Sequence, residues 1–126
     1  MDTTLLPPDF KEFLRLLNSN NVKYLIIGGY AVGYHGYPRP TGDLDIWISN
    51  TQDNAECVLR ALEEFGFGCS IALLLQDNQV FRMGMAPLRI KVMTTIDGVH
   101  FSDCYSERVQ DEIDGIQVKR DKFGAA

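Results

Sequence analysis

The chain has 126 residues, 45% of them apolar and 23% charged, and a formal net charge of −5. That balance suits one domain burying its own core and excludes a disordered or collagen-like chain; the longest apolar runs, 24–27 and 71–75, also fall far short of the ~20 residues a membrane span needs. The acidic excess weighs against a surface that grips nucleic acid through phosphate neutralisation alone, while a small phosphorylated substrate stays open.

The opening Met1-Asp2-Thr3-Thr4 lacks the basic and apolar regions of a secretory signal, which makes the cytoplasm the expected location. Pro7-Pro8-Asp9 then opens a helix, with Phe10, Phe13, Leu14 and Leu17 at three- and four-residue spacing before Asn18-Ser19-Asn20-Asn21 stops it. Val22 to Ile27 reads as a strand, and Gly28-Gly29 turns the chain into a short helix over 30–35. The loop from Gly36 to Gly42, stiffened by Pro38 and Pro40, delivers a second strand from Asp43 to Ser49. Thr51 is the expected N-cap of a second helix, in which Ala55, Val58, Leu59, Leu62 and Phe65 form one stripe and Gly66 ends it.

Residues 71–75 read equally as a buried strand or a helical turn. Gln79 to Met83 and Leu88 to Thr94 read as strands joined through Gly84-Met85-Ala86-Pro87, Asp97-Gly98 as a turn, and Phe101 to Glu107 as a short helix. Strands from Val109 to Ile113 and Ile116 to Lys119 flank Asp114-Gly115, the dipeptide favoured in a two-residue type I′ hairpin. Helices alternating with strands imply α/β layering in a single domain over 1–126. Lys119, Arg120 and Lys122, interleaved with Asp121, read as a solvated tail. Cys57, Cys69 and Cys104 are odd in number and lack C-x-x-C spacing, so reduced, mostly buried thiols are expected rather than a disulfide framework or structural zinc. His35 and His100 stand alone, without metal-ligand spacing.

The chemistry concentrates at Asp43-Leu44-Asp45-Ile46-Trp47-Ile48. Strand alternation sends Asp43 and Asp45 to one face while Leu44, Ile46 and Ile48 turn to the other. Two carboxylates so close need a proton, a basic side chain or a hard cation such as Mg²⁺ between them. Upstream, Gly28 and Gly29 lack a Cβ, so their backbone N–H groups can approach an anion. A D-x-D alone is weak, because strands often begin with an aspartate for turn formation. Tyr30, Tyr34 and Tyr37 share a helical face that offers a nucleobase surface or, more simply, core packing.

Taken together, Gly28-Gly29, a spacer, Arg39-Pro40-Thr41-Gly42 and Asp43-Leu44-Asp45 resemble the signature of the polymerase-β-like nucleotidyltransferase superfamily. The stretch from Leu25 to Ile48 looks most like the small bacterial nucleotidyltransferases related to abortive-infection toxins of toxin–antitoxin systems. Weaker similarity runs through Phe65-Gly66-Phe67-Gly68 and Ile96-Asp97-Gly98-Val99. The resemblance implies an α/β (α+β) fold with a mixed sheet flanked by helices, and Mg²⁺-dependent transfer of a nucleotidyl group from a nucleoside triphosphate. It makes Asp43 and Asp45 the metal ligands and gives phosphate contacts to Gly28, Gly29, Arg39 and Thr41; Arg39 reads equally as one half of a loop ion pair. A protein partner, a second copy of the chain and a nucleic-acid acceptor all stay open.

Two departures accompany the likeness. The family's third carboxylate falls at Lys91 in Arg89-Ile90-Lys91-Val92-Met93-Thr94, on the strand face expected to look at the aspartates. Asp43, Asp45 and Lys91 then sum to −1 where three acids would give −3, a poor match to two divalent ions. Asp97 and Asp103 are the only substitutes in view, and both belong to expected loop or helix. The resemblance also implies C-terminal helices after the last hairpin, which this sequence does not reach; a naturally shortened form and a sequence cut at a boundary are both open readings. Both departures favour a competing reading, a degenerate nucleotidyltransferase-like module that binds without catalysing.

Overall fold

Pro8 at the first helical position presets the backbone angle and spares a donor that would have no partner, and α1 (Pro8–Ser19) begins there. Its buried residues are Phe10, Phe13, Leu14 and Leu17, the stripe expected from spacing. The computed structural model describes residues 6–28, 42–85 and 88–122. Among them are β1 (Tyr24–Ile27), β2 (Gly42–Ile48), α2 (Gln52–Phe65), α3 (Ile71–Leu75), β3 (Val80–Met85), β4 (Leu88–Met93), α4 (Phe101–Ser106), β5 (Val109–Ile113) and β6 (Ile116–Arg120). The expected helix over 30–35 lies outside the described residues.

The strands form one six-stranded mixed sheet in the order β3-β4-β2-β1-β6-β5. β1 runs antiparallel to β2 and parallel to β6, while β2 runs parallel to β4. This is the α+β class, with a mixed sheet carrying helices. Tyr24, Ile26, Leu44, Ile46, Ile48, Ile90 and Val92 point to the face covered by α1 and α2, where they join the main core. Phe13 of α1 and Phe65 of α2 meet edge to face at 5.1 Å. Leu25, Ile27 and Trp47 point to the opposite face and pack with Met93, Ile96 and Phe101, so α4 covers one end of that face. The rest of it carries the charged residues of β2 and β4.

Local departures have physical causes. The first strand begins at Tyr24 rather than Val22, because the Val22 N–H bonds back to the Leu17 carbonyl of α1 and the Lys23 N–H donates to Asn54 of α2. Thr51 precedes α2 as expected, yet its side chain makes no capping bond and lies 3.5 Å from the Ser49 hydroxyl. Gly66 ends α2 at φ 97°, the left-handed value that favours glycine. Residues 71–75 resolve as a helical turn, started by the Ser70 hydroxyl accepting from the Ala72 N–H and anchored by buried Leu74. At the hairpin, Asp114 and Gly115 take φ 51° and 78°, as a type I′ turn requires. Lys119 and Arg120 belong to β6 rather than to a solvated tail: the Lys119 ammonium donates to the Val22 carbonyl and Arg120 pairs with Asp111 at 3.1 Å. The three cysteines are free and half-buried, less enclosed than composition suggested.

Asn54 ties the sheet to α2. Only 5% exposed, its side chain accepts from the Lys23 N–H at 2.7 Å and donates to the carbonyls of Lys23 and Ser49. Asn54→Ala removes the partner of the Lys23 N–H and one donor each from the Lys23 and Ser49 carbonyls, which costs about 2 kcal/mol. Urea unfolding should therefore show a lower midpoint at unchanged slope, whereas an unaltered midpoint would mean that water replaces the tie freely.

Candidate active site

Strand alternation sets this site. Asp43, Asp45 and Trp47 share the β2 face opposite the main core, and Arg89, Lys91 and Met93 share the matching face of β4. The parallel register places Asp43 beside Arg89 and Asp45 beside Lys91. On the other side of β2, Asp45 is the antiparallel partner of Ile27, the residue just before Gly28. Two glycine-free strands and a turn thus converge on one acidic pair.

The turn is tightly matched to that pair. Gly28 has φ +72°, and a Cβ there would stand 2.7 Å from Asp45 Oδ2. A side chain at this position would therefore collide with the carboxylate and strain the backbone at once. The glycine pair was expected near the acids, and Gly28 meets that expectation. Gly29, Arg39 and Thr41 lie outside the described residues, as do Tyr30, Tyr34, Tyr37 and His35.

Lys91 lies where alternation put it. Its Nζ stands 2.9 Å from Asp43 Oδ2, a charge-assisted contact with both side chains only partly exposed. Arg89 Nε stands 3.7 Å from Asp43 Oδ1, too long for a hydrogen bond but close enough to add its charge. Asp43 is thus held between two cations, and Asp43, Asp45, Arg89 and Lys91 together sum to zero. Sequence reasoning placed Arg89 on the correct face yet gave it no part in the site. The register across from Asp43 was the missing signal, because only strand pairing says which residue of β4 stands beside which acid.

Two carboxylates on one face suit a single Mg²⁺ that keeps its other positions for water and substrate phosphate. They do not suit a pair of ions, because two carboxylates carry too little charge for two divalent cations and the Lys91 ammonium already stands against Asp43. No cluster of three or more His, Cys, Asp or Glu side chains able to hold a metal occurs among the described residues. Asp97 and Asp103 do not complete one: Asp97 lines a cleft beyond Trp47, and Asp103 sits in the first turn of α4. No helix among the described residues is long and apolar enough to cross a membrane. No protein-family model matches the chain, and no curated protein sequence matches it significantly.

Proposed function

We propose that the chain is a nucleotidyltransferase-like domain that binds a nucleoside triphosphate on the β1–β2–β4 face and passes its nucleotidyl group to an acceptor. The observation that carries this reading is the close fit of the Gly28 backbone against Asp45, with Asp43 on the same strand face. With no side chain on the turn, the Asp45 carboxylate can lie directly against the Gly28 backbone on the same face as Asp43, so that two acids are available to the cation a phosphate brings. Asp43 and Asp45 would hold that Mg²⁺, which draws charge off the phosphoryl oxygens when bound. Lys91 and Arg89 cancel the charge of the two acids, so the face does not repel a triphosphate. Lys91, with its stem along β4, is placed to add an ammonium contact to a phosphate once Asp43 turns to the metal.

A second reading is favoured by one observation, the 2.9 Å Lys91–Asp43 contact. A built-in ammonium that satisfies Asp43 without any ion suits a module that binds nucleotide or a protein, such as the other half of a toxin–antitoxin-type pair, and no longer transfers. Titration with MgATP followed by transfer of an α-phosphate label separates the two. Saturable MgATP binding with label appearing on protein or added nucleic acid is the result expected of the enzyme. Binding without transfer supports the module, and absence of nucleotide binding removes both nucleotide readings.

A further inference from the structure

Beyond Trp47, β2 and β4 end in an open cleft of about 500 Å³, within the size range of small-molecule sites. It lies at the carboxyl ends of this parallel pair, the usual position for ligands in sheets of parallel strands. Trp47 is two residues along β2 from Asp45 and four from Asp43, roughly 7 and 13 Å at strand spacing. The cleft therefore adjoins the acidic pair on the same side of the sheet, beyond its Asp45 end.

Its wall is held in place before any ligand arrives. The Asn78 N–H donates to Thr95 Oγ1 at 2.8 Å, the Gln79 N–H donates to Thr94 Oγ1 at 3.1 Å, and Asn50 Nδ2 donates to Asp77 Oδ1 at 2.9 Å. Trp47, only 1% exposed, meets Phe101 edge to face at 5.2 Å, and its indole Nε1–H is buried with no acceptor among the described residues. Asp97 and His100 stand exposed at the rim and lend a carboxylate and an imidazole.

Charge selects the ligand class. Among the described residues the lining includes Asp77 and Asp97 and no lysine or arginine, the reverse of the Arg89–Lys91 end of the face. Phosphates are repelled here, whereas hydroxyls and ammonium groups find carboxylate, amide and hydroxyl partners. We infer that this cleft binds a small hydroxyl-rich molecule, neutral or cationic, beside the nucleotide face. Its use as the seat of the acceptor rests on the transfer reading; its ligand binding does not.

The chain has one tryptophan, and it lines the cleft, so a single indole N–H resonance reports on that wall. Titrating the full ¹⁵N-labelled protein with glucosamine, glucose and glucose 6-phosphate changes the charge on one hydroxylated ring. Glucosamine should shift the Trp47 indole signal saturably with a Kd on the order of millimolar. Glucose should bind several-fold more weakly, and the phosphate should not bind. Asp97→Asn, an exposed change that leaves the fold intact, should bring glucosamine down towards glucose. An unmoved indole signal with both sugars, tightest binding by glucose 6-phosphate, or unchanged glucosamine affinity in Asp97→Asn would overturn the assignment. MgATP titrated into the same sample reads the nucleotide face separately: sugar binding without nucleotide binding upholds the cleft and removes the transfer reading.

Discussion

Lys91→Asp will bind Mg²⁺ about 100-fold more tightly than the native chain, and Lys91→Ala about tenfold more tightly. The native side chains Asp43, Asp45, Arg89 and Lys91 contribute −2 and +2, a sum of zero; Lys91→Ala takes that to −1 and Lys91→Asp to −2. The ammonium that now occupies Asp43 Oδ2 at 2.9 Å is the direct competitor of the ion. Each unit of charge is credited with a factor of about ten rather than more, because the side chains are partly exposed and water screens them.

A stability signature accompanies the affinity. Without metal, Lys91→Asp leaves three acids facing one another and should lower stability by about 1 kcal/mol, since like charges at this spacing repel. On the proposed reading Mg²⁺ binds only the folded form, so it should raise the melting temperature of Lys91→Asp far more than that of the native chain. Calorimetry with the three proteins measures the order. Equal affinities would show that Asp43 and Asp45 are not metal ligands, and tightest binding by the native chain would show that Lys91 belongs to the ligand shell of a bound phosphate.

Gly28→Val should lose about 3 kcal/mol of stability, and Gly28→Ala about 1–2 kcal/mol, because φ +72° is strained for any side chain and worst for a β-branched one. Stability is not the larger effect. The nearest obstacle to a new Cβ is the Asp45 carboxylate at 2.7 Å, a side-chain end that can swing aside more cheaply than backbone. The protein therefore absorbs the alanine by displacing Asp45. MgATP affinity of Gly28→Ala should fall at least tenfold, to an extent that loss of folded protein does not explain; an order-of-magnitude displacement penalty of this kind follows from moving a charged ligand by several tenths of an ångström. Nucleotide binding unchanged in a folded Gly28→Ala would move the phosphate site away from β1 and β2.

Much of this arrangement was readable from the chain because it follows from local periodicity. The α1 stripe, the period-two faces of β2 and β4, the Gly66 stop and the Asp114-Gly115 turn all depend on residues close in sequence, and each emerged as expected. The meeting of Lys91 with the aspartates was also legible, since alternation leaves only two faces to choose between. Arg89 was not, because its effect depends on standing beside Asp43 rather than Asp45, a matter of register between strands more than forty residues apart in the chain. The cleft beyond Trp47 was likewise hidden: its walls come from the ends of β2 and β4, the turn before β3 and the start of α4, and no local motif marks them.

Local sequence carried the α+β class, the acidic pair on one strand face, the glycine turn that precedes it and the lysine that faces it from β4. Side-chain alternation and helical spacing carry those features, and they act over a few residues. Only the tertiary structure decided how close they come. Pairing of β2 with both β1 and β4 set Gly28 against Asp45 and Lys91 against Asp43. Packing of the helices trimmed the first strand, because the Val22 N–H bonds back to α1 and the Lys23 N–H donates to Asn54 of α2. Such choices depend on which distant groups compete for one donor or acceptor, and that competition is settled when the sheet closes on its helices.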